Sequence, residues 1–522
     1  MFLAGSAAIV VAACSDGGSS GDASTPTSAT SPTTTIETPS TTTTLAPLNL
    51  PADPFTLGIA SGDPDAESVV LWTRLAPQPL DGGGMPTDDV PVVWEVSATD
   101  DFATITASGQ EVATAETGHS VHAIATLPQG SWFYRFRAGQ YTSPIGITRP
   151  APTGAASEVR FAAASCQNYQ DGYYTAHRDI AERAPDFTLF LGDYIYEGAG
   201  AADADPAARV HLGPEPTTVE EYRNRYGRYK TDLNLQAAHA VCPWFIIWDD
   251  HEVENNYAGI TPQDDADTAG FAERRFAAYR AWWEHQPVRL APPIGPDSEY
   301  RIYRDAEWGD LLKLALLDGR QYRSDQACGD IVLSLDPPCA EASEPSRTML
   351  GDTQEAWLLD TLTTSTSQWN VVGNQVVMAN ATLNGAILNY DQWDGYPVAR
   401  EHLLASVNTA NISNLIVITG DIHLAAVGYL PNEGDTVGVE FVTTSISSSG
   451  LIDAGFEDVL RGFPDLVDAE LLHRGYSFHT VTPERWLAEY RIVADATVAD
   501  SEVTTYSEYL VESGSNTVVS GV

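Results

Sequence analysis

Five apolar runs in this chain each stop on a residue that can bind a metal, and that repetition limits the fold more than any other feature. Phe161-Ala162-Ala163-Ala164-Ser165 ends on Cys166. Phe187-Thr188-Leu189-Phe190-Leu191-Gly192 ends on Asp193, with Tyr196 three residues further on. Trp244-Phe245-Ile246-Ile247-Trp248 leads into Asp249-Asp250-His251-Glu252, Val371-Val372-Gly373 into Asn374-Gln375, and Leu415-Ile416-Val417-Ile418-Thr419-Gly420 into Asp421-Ile422-His423. Strands buried on both faces read as continuous apolar runs, and open α/β sheets gather ligands at the carboxyl ends of their strands. One Asp after one strand is equally well a surface turn, because short motifs match by chance. Five such endings in one chain predict a polynuclear metal centre.

The donors divide by chemistry. Cys166 thiolate, Tyr196 phenolate, the Asp193 carboxylate and the His423 imidazole suit trivalent iron (Fe3+). Asp250, Asn374 and Asp421, with Asp193 as a bridge, offer the oxygen atoms that calcium (Ca2+) takes. Metals so placed offset the charge of a phosphate ester, acidify a bound water so that metal-bound hydroxide becomes the nucleophile, and stabilise the leaving oxygen. His251, directly after Asp250, has an imidazole whose ordinary pKa suits proton transfer beside the metals, or that supports the site by a hydrogen bond. Arg320 and Arg323 close the run Leu314-Ala315-Leu316-Leu317. Their guanidinium forks match phosphate bidentately, and match surface carboxylates equally well.

Charge narrows the partners. The 522 residues carry 71 acidic against 27 basic side chains, a net charge of -44, and the only lysines are Lys230 and Lys313. Such a field repels nucleic acid and anionic membranes, so an anionic substrate requires local reversal by metals and arginine. Arg223, Arg225, Arg228 and Lys230 form the one dense cationic run, and charge runs of this kind are expected on a solvated helix face.

Organisation follows from composition. Residues 1–14 read as a processing segment: Phe2 to Ala13 is small and apolar, and Val10-Val11-Ala12-Ala13-Cys14 resembles a bacterial lipobox, with lipidation expected at Cys14. No Lys or Arg precedes the apolar run, which suggests that Met1 is internal to a longer signal. Residues 15–50 are a Ser/Thr/Pro-rich tether with too little apolar surface to fold. Residues 55–150 contain short strand-like runs separated by Gly, Asp and Pro, which predict a β-sandwich of fibronectin III (Ig-like) kind. Residues 158–522 alternate apolar strands with helical stretches, an α/β pattern in which a mixed β-sandwich is flanked by helices. Cys328 and Cys339 lie in one polar loop and suit a disulfide in an oxidising compartment; Cys242 reads as an inert core thiol.

These segments together resemble the PhoD-type alkaline phosphatases. The likeness covers nearly all of the chain after the tether. It rests on Leu57-Gly58-Ile59-Ala60-Ser61-Gly62-Asp63-Pro64, Ser165-Cys166-Gln167, Gly192-Asp193-Tyr194-Ile195-Tyr196-Glu197 and Trp248-Asp249-Asp250-His251-Glu252-Val253. Gly373-Asn374-Gln375 and Gly420-Asp421-Ile422-His423 follow in the same order. The Asp and Tyr three apart are also similar to the ferric site of purple acid phosphatases, with Cys166 in place of a carboxylate. The resemblance implies an exported metallophosphatase that uses iron and calcium, acts on small phosphate mono- and diesters, and is a monomer tethered by lipid at Cys14 or secreted. A phospholipase D-like phosphodiesterase and a non-catalytic surface interaction protein stand as alternatives.

Overall fold

The computed structural model describes residues 50–200, 209–263, 268–331, 335–450, 456–460, 462–463 and 465–521. The expected lipobox at Cys14 and all of the tether except its last residue, the buried Leu50, lie outside these residues.

Two mixed sheets carry the fold. The larger has ten strands in the spatial order Val518–Ser520, Val503–Glu512, Arg485–Val493, Arg474–Val481, Val159–Ala164, Phe187–Phe190, Pro243–Ile246, Ile59–Gly62, Ser68–Arg74 and Ser120–Thr126. Its centre is parallel: Phe187–Phe190 pairs in register with Val159–Ala164 on one side and Pro243–Ile246 on the other. The second has seven strands, Arg304–Trp308, Leu312–Leu316, Trp369–Gly373, Leu415–Thr419, Asp435–Val442, Ala425–Asn432 and Leu466–Glu470, again parallel at its middle. The sequence explains this arrangement. The central strands are apolar at nearly every position, and Phe161, Leu189, Phe245, Leu314, Val371, Ile416 and Phe441 from both sheets share one core. Each such side chain contributes about 1.5–3 kcal/mol on burial.

Helices close the layers. Thr175–Arg183, Leu233–Val241 and Phe271–His285 pack against the ten-stranded sheet, while Gly351–Thr364 and Pro397–Thr409 pack against the seven-stranded one. Leu358, Leu362, Leu403 and Val407 bury against Leu317, Val372 and Val417 there.

The N-terminal region differs from a free-standing fibronectin-like sandwich. It does have two facing layers, with Leu71, Ala123, Val92, Trp94, Tyr134 and Phe136 in one core. One layer, however, is the edge of the ten-stranded sheet itself, because Ser61 pairs in parallel with Pro243 and Gly62 with Trp244. The strand Ile59–Gly62 is buried at all four positions, so both of its edges need partners and the second comes from the metal-bearing sheet. The cationic run is also not a solvated face. Arg225, Arg228 and Lys230 are buried, and Arg223 is paired with buried Glu284. Helix Val219–Lys230 therefore turns these side chains inwards. Cys328 and Cys339 form a disulfide with a Cα–Cα distance of 5.8 Å, and Cys242 is buried against Thr188.

Candidate metal centre

The parallel strands of both sheets end together, and the residues after them converge. Cys166 follows Val159–Ala164, Asp193 follows Phe187–Phe190, and Asp249 and Asp250 follow Pro243–Ile246. From the facing sheet, Asn374 follows Trp369–Gly373, and Asp421 and His423 follow Leu415–Thr419. Cys166, Asp193, Asp421 and His423 all hold positive φ, from 56° to 67°. Non-glycine residues in that region cost on the order of 1–3 kcal/mol each and cluster at functional sites. Gly192 permits a close approach: a Cβ there would lie 2.5 Å from Asp249 Cβ and 2.6 Å from its amide nitrogen. The glycine thus brings two ligand loops together.

Among the described residues, three groups of potential donor atoms form, each with its atoms within 4.8 Å of one another: Cys166, Asp193 and His423; Asp193, Asp250 and His251; and Asp193, Asp249, Asp250 and Asp421. Asp193 belongs to all three. Tyr196 Oη lies 3.0 Å from Asp193 Oδ2 and 2.9 Å from His423 Nε2, so the phenol joins the first group. Asn374 Nδ2 donates to the Val376 carbonyl at 2.6 Å, which leaves Asn374 Oδ1 buried without a hydrogen-bond partner. Asp193 Oδ1 is likewise buried and unpartnered. Buried oxygen atoms without partners are rare and point to an absent ligand. The donor set of thiol, phenol, imidazole and carboxylates fits metal ions of mixed softness.

Electrostatics agree. Burial, reinforced by Asp250, Asp249 and Glu252 against an opposing His251, pushes the Asp193 carboxyl well above its ordinary range. Burial, together with Asp193 and Asp421, pushes the Cys166 thiol up; burial, with Asp193 and Cys166, does the same to the Tyr196 phenol. Burial, Asp391 and Asp250 raise Asp421 to about 6. Burial lowers His423 to about 4, leaving a neutral imidazole. A cluster of this kind holds excess negative charge that metal cations would relieve by keeping the ligands deprotonated. His251 runs the other way. Burial alone would lower it, but Glu197, Asp250 and Asp193 outweigh burial and hold the imidazolium well above its usual pKa. Its Nδ1 lies 2.7 Å from Glu197 Oε2.

Of the two kinds of partner open to Arg320 and Arg323, phosphate or carboxylate, the structure shows the carboxylates. Both side chains are 0% exposed. Arg320 bonds Asp249 through Nε and grips Asp391 at 2.7 and 2.9 Å, and Arg323 Nη1 reaches the same Asp391 oxygen at 2.6 Å. The Arg320 fork is committed to carboxylates, with Asp250 and Asp421 at 3.7 and 3.6 Å, whereas Arg323 bonds the Gly319 carbonyl through Nε and its Nη2 is buried without a hydrogen-bond partner.

Other residues have no role in the sequence reading. Asp249 joins a donor group, and Glu252 accepts the amides of Asp193, Tyr194 and Asp249, knitting two ligand loops. Glu197, Asp249 and Glu252 sit within the quoted motifs, and their carboxylates beside the candidate donors are the available signal. Asp391 lies three residues before the segment Asp394-Gly395-Tyr396-Pro397, and Ser448 lies in none of the quoted motifs.

Residues 161–490 match the model of the PhoD-like phosphatase family, and residues 41–152 match that of the PhoD-like phosphatase N-terminal domain. Alkaline phosphatase D of Bacillus subtilis (strain 168) is 42% identical over 480 residues, covering 88% of this chain and 81% of its own length. A solved structure of PhoD is similar with a TM-score of 0.84 and 40% identity, covering 89% of this chain and 92% of that one.

Proposed function

The chain belongs to the PhoD-like phosphatase family and is a phosphatase, and on that premise we propose a metal-dependent phosphoric ester hydrolase that scavenges phosphate outside the cytoplasm, with mono- and diesterase activity. The observation that carries this reading is the convergence of three donor groups on Asp193, whose Oδ1 is buried and unpartnered.

In this reading Cys166, Tyr196, His423 and Asp193 would hold iron, and Asp193, Asp249, Asp250, Asn374 and Asp421 would hold calcium. Bound, the ions supply Lewis-acid charge and an acidified water. The chain's own residues do the rest. His251, its Nδ1 proton donated to Glu197, presents its other nitrogen as the proton source for the leaving oxygen. Arg320 and Arg323 act as positioning residues, holding Asp249 and Asp391 in place. Diester turnover is expected because several cations can offset phosphate charge without a terminal dianion.

Parallel kinetics on a nitrophenyl monoester and a bis-nitrophenyl diester, with and without chelator, test the reading. Turnover of both esters, abolished by chelator, supports it; undetectable diester turnover beside fast monoester turnover sinks the diesterase part. Membrane fractionation of Cys14→Ser against the wild type tests the lipid anchor, which fails if the two partition alike. No described helix is long and apolar enough to cross a membrane.

A further inference from the structure

The segment Ser445-Ile446-Ser447-Ser448-Ser449 touches every member of the thiol, phenol and imidazole group, although its residues lie far from all of them in sequence. Ser447 and Ser448 amides reach the Cys166 carbonyl at 3.4 and 3.3 Å, and Ser448 Oγ reaches it at 2.8 Å. The same hydroxyl lies 2.9 Å from Tyr196 Oη and accepts the Asn168 amide at 2.9 Å. His423 Nδ1 lies 2.6 Å from the Ser449 carbonyl. A carbonyl only accepts, so Nδ1 carries the proton and the Nε2 lone pair faces Tyr196 Oη.

The segment is itself fastened. Ser165 and Ser445 form a parallel bridge, and the Ile446 amide donates to the Ser165 carbonyl at 2.9 Å. Arg474 donates through Nη1 to the His423 carbonyl at 2.6 Å, to Ser448 O at 3.1 Å and to Ser445 Oγ at 3.2 Å. One buried guanidinium thus ties the segment to the His423 loop. Ser445, Ser447 and Ser448 are buried, so their bonds to Cys166 and Arg474 are shielded from water, whereas the Ser449 carbonyl meets His423 at the exposed rim. A hydroxyl between a backbone carbonyl and the ligand phenol, and a carbonyl that fixes an imidazole tautomer, are how proteins orient metal ligands and tune their basicity.

We propose that Ser448, with the Ser449 carbonyl and Arg474, is the positioning clip of the thiol-phenol-imidazole half of the centre, and that the Ser448 hydroxyl determines how firmly this half holds its metal. The inference rests on the reading that Cys166, Tyr196 and His423 bind a metal. Loss of partners of this kind typically costs about 10–100-fold in metal affinity.

The test uses the full chain, purified with its metal, as wild type, Ser448→Ala and Ser448→Thr. Iron release into a chelator is followed by metal analysis and by the visible absorption of a ferric phenolate or thiolate. Thermal unfolding of the stripped proteins is the fold control. We expect Ser448→Ala to lose iron about tenfold faster or more, with a moved or weakened band and unchanged unfolding, and Ser448→Thr to restore retention. Equal retention in wild type and Ser448→Ala overturns the clip, as does equal loss in both variants, which would mark a packing role. If stripped Ser448→Ala does not fold, the comparison of Ser448→Thr with wild type decides: retention and band kept by Thr support the clip, and tenfold faster loss overturns it. A wild type that carries no metal at this half overturns the underlying ligand reading instead, and the clip with it.

Discussion

Replacing Arg320 by Met separates a buried ion-cluster role from a substrate-clamp role. The guanidinium is 0% exposed, makes two contacts to Asp391 at 2.7 and 2.9 Å, bonds Asp249, and lies 3.7 Å from Asp250 and 3.6 Å from Asp421. Met replaces the aliphatic stem of Arg320 but stops short of the guanidinium position, so a small cavity adds to the electrostatic loss. What remains is a set of buried carboxylates without their cation. Removing one partner of a buried ion pair costs about 3–5 kcal/mol, and with Asp249 and Asp391 both bonded to Arg320 the upper end of that range is expected. Protonation of Asp249, which burial already favours, limits the cost from growing further. Urea unfolding of the metal-stripped protein should therefore show a loss of about 3–5 kcal/mol at neutral pH. Metal-loaded Arg320→Met that survives should keep its KM for a nitrophenyl ester. Unchanged stability together with a raised KM at constant kcat would refute the reasoning, because that pattern marks a lost substrate contact.

His251→Ala should keep near-normal metal content while kcat falls, by about 10²–10⁴-fold for alkyl phosphates and less for nitrophenyl esters; metal loss would make His251 a ligand instead. Glu197→Gln keeps an acceptor opposite His251 Nδ1 but removes its charge. The imidazolium exists below its folded-state pKa and is lost as pH rises through it, so lowering that raised value moves the alkaline limb of kcat to lower pH. Hydrogen bonds to charged groups contribute about 1.5–3 kcal/mol, which corresponds to about 1–2 pH units. An unmoved limb would remove His251 from the proton-transfer step.

Much of the site was legible because strand ends are written locally. An apolar run buried on both faces stops where its backbone leaves the sheet, and the candidate donor follows two to four residues on; Cys166, Asp193, Asp250 and Asp421 are all read this way. The serine segment was not legible. Ser448 acts through a hydroxyl and backbone groups 282 positions from Cys166, and neither has a spacing pattern. Arg225, Arg228 and Lys230 were misread for a related reason. Helical periodicity shows which positions share a face but not what covers that face, and here Tyr169 lies over Arg228, Trp72 and Tyr194 flank Lys230, and Arg225 bonds the Tyr196 carbonyl. The shared sheet was hidden too, because a parallel pairing between Ile59–Gly62 and Pro243–Ile246 leaves no mark in either segment.

Metal content and ester turnover measured on the same samples of wild type and Asp193→Ala test the central claim that one carboxylate holds the whole centre together. Asp193 belongs to all three donor groups found among the described residues, so its removal should abolish bound metal and turnover in step. Full turnover by metal-free wild type, or an Asp193→Ala protein that keeps its metals and its activity, would contradict that claim.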